Sequence, residues 1–188
     1  MKRQIAGLLF LALVFALPSV AQAQDAGSWD AALTAQLSTN GVADPANATG
    51  EEIAAAVEAL IANNPQLTAE DITGMVQAAV NRSPAAYQAI AVAAAKQAAA
   101  QGIDAAGLAR IGGAAVFAAV QAGITVTQSD TIILASAISQ ASGVTLASDA
   151  VEQQYLALEF AALFGDLEET GLVDLIIEEN PNQDASPA

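Results

Sequence analysis

Two neighbouring stretches, residues 49–65 (TGEEIAAAVEALIANNP) and 68–84 (TAEDITGMVQAAVNRSP), decide the fold. Each opens with a threonine followed three residues later by an acid, Glu52 in the first and Asp71 in the second. That spacing lets the hydroxyl accept the third helical N–H while the carboxylate reaches back to the backbone of the threonine. Behind each start, apolar groups recur at helical spacing: Ile53, Val57, Leu60 and Ile61, then Ile72, Val76, Ala79 and Val80. Pro65 and Pro84 close the two segments. Aligned at an offset of 19, Thr49/Thr68, Glu51/Glu70, Glu52/Asp71, Ile53/Ile72, Val57/Val76, Ile61/Val80 and Pro65/Pro84 correspond, which reads as an internal duplication.

Further along, the punctuation changes while the period stays similar, with glycine stops 21 and 20 residues apart. Gly102-Ile103-Asp104, Gly123-Ile124-Thr125 and Gly143-Val144-Thr145 each read as a helix stop. Glycine takes the left-handed position, the next apolar residue folds back on the helix, and the polar residue begins the next one. Gly165-Asp166 repeats the stop without the apolar neighbour, and Ser83-Pro84 reads as a cap with proline at the first helical position. Helices are therefore predicted near 29–38, 50–63, 69–81, 84–101, 104–122, 129–142, 149–164 and 172–179. Short connections favour antiparallel neighbours. The expected fold is all-α: one domain over residues 24–180, of about eight short antiparallel helices in a bundle or helical-hairpin array, followed by an acidic, disordered tail over 181–188.

Helices 104–122 and 129–142 are apolar or small nearly all round, which suits the centre of a bundle or a membrane. Gly107, Gly112, Gly113, Ala115 and Ala119 give the first a face for close packing. The glutamines within them, the stops at Gly123 and Gly143 and the lack of basic flanks favour burial in protein. A membrane-active protein inserting the hairpin 104–142 is the alternative.

The N-terminus carries a different message. Lys2 and Arg3, the uncharged run Ile5 to Leu17, the break at Pro18 and the small-x-small site Ala21-Gln22-Ala23 lay out a secretory signal peptide over residues 1–23. Cleavage after Ala23 would leave about 165 residues, enough for one domain with a core. With no cysteine at the cut, a lipoprotein anchor is not expected. The expected location is the periplasm or the medium, by bacterial Sec-type export. The stretch Asn64-Pro65-Gln66-Leu67 ahead of Ala/Val-rich helices is similar to passages in exported bacterial Ala-rich proteins, a generic likeness that carries no function.

Composition excludes much chemistry. The net charge is −15, and outside the signal only Arg82, Lys96 and Arg110 stand against 20 acids. Affinity for nucleic acid or anionic lipid rests on lysine and arginine, so no nucleic-acid partner is expected, and a membrane partner is disfavoured. Neither histidine nor cysteine occurs. That removes His-based acid–base catalysis, the Ser-His-Asp and Cys-His arrangements, disulfides and the commonest zinc ligand.

The candidate sites are few. Read as a calcium loop, Asp166, Glu168 and Asp174 fall at positions 1, 3 and 9. Position 12, which should be a bidentate glutamate, is Ile177, so a turn between acidic helices fits better. Glu51/Glu52, Glu168/Glu169 and Glu178/Glu179 are sequence neighbours that point about 100° apart on a helix, as solvated faces do. Trp29, Tyr87 and Tyr155 fit core or stripe positions, and Lys96 fits an outer face. No catalytic residue, phosphate loop or cofactor site is expected. The expectation is an exported, soluble, non-catalytic protein that binds or scaffolds a protein partner or associates with itself.

Overall fold

A computed structural model describes residues 26–169 of the chain. The signal-peptide reading of residues 1–23, the helix expected at 172–179 and the tail lie outside the described residues.

The described residues are all-α, with seven helices: α1 (Ala26–Thr39), α2 (Gly50–Asn63), α3 (Ala69–Arg82), α4 (Tyr87–Ala100), α5 (Ala105–Gln121), α6 (Gln128–Ser142) and α7 (Ala150–Glu169). Both expected capping boxes form. The Thr49 and Thr68 hydroxyls accept from the backbone N–H groups of Glu52 and Asp71, and those carboxylates accept in return from the threonine backbone. A third box that sequence reasoning passes over, Thr127 with Asp130, starts α6. The Asp104 carboxylate caps α5 through the Gly107 N–H at 2.9 Å.

These caps set the phase of the buried stripes. Counting from the cap, positions 4, 7, 8 and 11 are Ile72, Met75, Val76 and Ala79 in α3, Leu108, Ile111, Gly112 and Ala115 in α5, and Thr131, Leu134, Ala135 and Ile138 in α6, all buried. In α2 the buried residues Ile53, Ala54, Ala56, Val57 and Ile61 each match a buried residue of α3 nineteen positions on.

Four glycines end helices in the left-handed conformation: Gly41, Gly102, Gly123 and Gly143, with φ of 85°, 87°, 87° and 72°. The last three are legible as stops in the sequence, and Gly41 adds a fourth. After three of the four the next residue closes the expected bond: Val42, Ile103 and Ile124 donate to the carbonyls of Leu37, Ala98 and Ala119. Each of these apolar residues also packs against the core.

The structure departs from the expected elements in three places. Pro84–Ala86 is a separate 3-10 turn, so α4 begins at Tyr87 rather than at 84. Gly165 does not end α7, which continues to Glu169. An interior glycine costs a helix only about 1 kcal/mol, so a glycine alone does not end one. Lastly, α6 is not a central helix.

Helix α5 is the central one. It packs on α3, α4, α6 and α7, and burial includes Gly107 and the whole run from Ile111 to Val116. The core around it is built from the stripes of α2, α3 and α4, with Trp29, Leu33 and Leu37 closing it from α1. Two ion pairs tie the rim: Arg82 with Asp30, and Lys96 with Glu58 at 2.8 Å.

Candidate docking face

Helix α7 is held by small residues on α5. A Cβ on Gly112 would lie 2.8 Å from Val151 Cγ2 and 2.9 Å from Ile138 Cδ1, while one on Gly113 would lie 2.6 Å from Gln154 Cβ. The absence of side chains there lets the α7 backbone approach α5 directly. Val151 is fully buried in this seat, and Tyr155 packs against the core beside it. One turn further, Leu158 lines a cavity of about 310 Å³ shared with Trp29 of α1 and with Gly74 and Gln77 of α3. Two of that cavity's polar groups serve α3 itself: Asp71 closes the capping box, and the Thr73 hydroxyl donates to the Ala69 carbonyl.

The opposite side of α7 faces outward and, beyond the polar Gln153, carries apolar side chains. Leu156, Phe160 and Leu163 are 50%, 63% and 67% exposed. Their 4–3 spacing places them in one row along the helix, the seam pattern of a helix that pairs with another. On α6, Ile132 and Ile133 are 42% and 54% exposed and line a shallow groove with Ser136, Ala137 and Gln140. These five are the exposed large apolar side chains among the described residues. Isolated surface apolar residues are ordinary; these three stand in one row at seam spacing.

No protein-family model, curated protein or solved structure matches this chain. Its function is therefore read from its own residues.

Charge borders the α7 row on one side. Glu152 and Glu159 lie seven residues apart beside it, and the Glu152 carboxylate accepts from Gln128 Nε2 of α6 at 2.9 Å. Burial raises the Tyr155 phenol above its usual value, and the neighbouring Glu159 adds to the shift.

Elsewhere among the described residues the shifted carboxylates are lowered. A hydrogen bond from Arg82 holds down Asp30, Lys96 and then Gln97 hold down Glu58, and Asn47 holds down Asp44. The caps hold down Glu52, chiefly through the Thr49 backbone, and Asp130, chiefly through the Thr127 hydroxyl.

Among the described residues no three acids stand together as a metal site. Of the calcium-loop candidates, Asp166 and Glu168 fall in the last turn of α7, and Asp174 lies outside the described residues. Trp29 and Tyr87 are buried in the core, and Lys96 sits on the rim against Glu58.

Sequence reasoning misses the exposed α7 row. Its signal is present in the spacing of Leu156, Phe160 and Leu163. However, α7 also carries the apolar residues Val151, Tyr155 and Leu158, and periodicity cannot tell which row the core takes.

Proposed function

We propose that the chain is an exported, soluble, acidic helical protein that acts without catalysis, by binding or scaffolding a protein partner through the outer face of α7. The observation that carries this reading is the exposure of Leu156, Phe160 and Leu163 in one row on a helix whose other side is locked to α5. The seat on Gly112 and Gly113 gives that row a rigid support, which lowers the ordering cost of binding. Export rests on the signal layout of residues 1–23, and the 20 acids against Arg82, Lys96 and Arg110 outside it keep such a protein dispersed outside the cytoplasm. The chain as a whole is read as about eight antiparallel helices with a period near 20, α2 and α3 being a duplicated pair. Their matched caps and matched buried positions support that descent.

Affinity capture from periplasm and medium tests the role, with wild type run beside a Leu156→Ser, Phe160→Ser, Leu163→Ser variant. A discrete partner retained by wild type and lost by the variant is expected. A stably monomeric protein that retains nothing contradicts the reading.

A further inference from the structure

The acids beside the α7 row identify the kind of partner it fits. In heptad terms Phe160 takes an a position and Leu156 and Leu163 take d positions. Glu152 and Glu159 then take g positions, and Asp166 continues the row in sequence. In paired helices the g residues meet the e or g residues of the partner and decide which partner is accepted.

A second copy of this chain matches that face poorly. In a parallel pair Glu152 and Glu159 would meet e positions such as Ala157, which carry no positive charge, and in an antiparallel pair the g rows would set glutamate against glutamate. The chain's remaining bases are few, and Arg82 and Lys96 are already paired with Asp30 and Glu58. Residues 170–188 carry four acids and no base, so charge disfavours them as well. A helix with lysine or arginine along its seam satisfies both the apolar row and the acids.

We infer that the α7 face takes one amphipathic helix from a different protein, with an apolar seam bordered by lysine or arginine. This inference rests on the docking role proposed above. The apolar row supplies contact area, and the charge row supplies discrimination and speeds encounter with a basic partner.

The test uses the purified full chain, processed as the cell leaves it, and three labelled peptides. Two are heptad peptides with the same leucine seam, one flanked by lysines and the other by glutamates; the third is residues 170–188. Fluorescence anisotropy is expected to show the lysine peptide binding at least tenfold tighter than either of the others. That preference should shrink in 1 M NaCl, where charges are screened beyond about 3 Å. Phe160→Ser should weaken lysine-peptide binding at least tenfold. The pair Glu152→Lys and Glu159→Lys should instead move the preference to the glutamate peptide, an inversion that loss of folding cannot mimic.

Equal binding of the lysine and glutamate peptides, both sensitive to Phe160→Ser, overturns the charge inference and leaves the docking role standing. Tightest binding by the 170–188 peptide, or a dimer of this chain abolished by Phe160→Ser, also overturns it. If no peptide binds and the chain stays monomeric, the inference and the docking role fall together.

Discussion

Gly113 of α5 lies directly against Gln154 of α7: a Cβ on the glycine would stand 2.6 Å from the Gln154 Cβ and 2.8 Å from the Tyr155 backbone nitrogen. Backbone cannot swing aside as the end of a side chain can. With Gly112 beside it, the contact ties the position of the outer α7 face to missing methyl groups on α5.

Gly113→Ala is accordingly expected to destabilise the protein even though alanine favours helix. The propensity gain is about 1 kcal/mol, and forcing a methyl into a packed site costs about 1–3 kcal/mol. A net loss of about 1 kcal/mol, concentrated in α7, should appear in urea denaturation and in faster amide exchange along residues 150–163. An unchanged midpoint and unchanged exchange would mean that α7 is not seated there.

The glycine stops divide into two kinds. Gly123 has a φ of 87°, and no atom lies within 4 Å of the point where a Cβ would stand. Gly123→Ala therefore meets no clash but strains the backbone by about 1–2 kcal/mol. Gly165 lies within α7, so Gly165→Ala should leave stability unchanged or raise it by up to about 1 kcal/mol. Gly123→Ala should lower the thermal midpoint, and Gly165→Ala should not. Equal losses would restore Gly165 as a helix end.

This contrast shows where the sequence is legible and where it is not. Capping boxes and left-handed stops are local, so residues 49–84 and the stops at Gly102, Gly123 and Gly143 announce their helices. Gly165-Asp166 has the glycine of a stop without the apolar residue that follows Gly102, Gly123 and Gly143. Whether α6 lies inside depends on which of its faces the α4, α5 and α7 surfaces cover, and Ile132 and Ile133 show that one face is left open. No spacing in the chain records that choice. The candidate face is hidden for the same reason.

Acid should weaken the caps. The folded-state values of Glu52 and Asp130 lie below the ordinary 4.5 and 3.8, so their contribution is complete above those values. It is lost as pH falls through the lower, folded-state values. Asp130→Ala should lower the melting temperature at pH 7, and its gap from wild type should narrow steadily below pH 3.8. Thr127→Ala removes the reciprocal acceptor and should cost about 1 kcal/mol. A gap that does not change with pH would deny the carboxylate its capping role.

The hairpin 104–142 should not breach membranes. Helix α5 has 17 residues and is enclosed by its neighbours, α6 has 15, and no described helix is long and apolar enough to cross a bilayer. Vesicles loaded with dye should retain it at neutral and at acidic pH. Leakage at either pH would favour insertion of the hairpin.

The central claim is that Leu156, Phe160 and Leu163 form a surface that a partner occupies. Photo-crosslinking in producing cells tests it most directly, with a photoreactive residue placed in turn at Leu156, at Leu163 and, as a control, at the exposed Ala35 of α1. The account expects one discrete adduct from both α7 positions and none from Ala35. No adduct from α7, or the same adducts from all three positions, would contradict it.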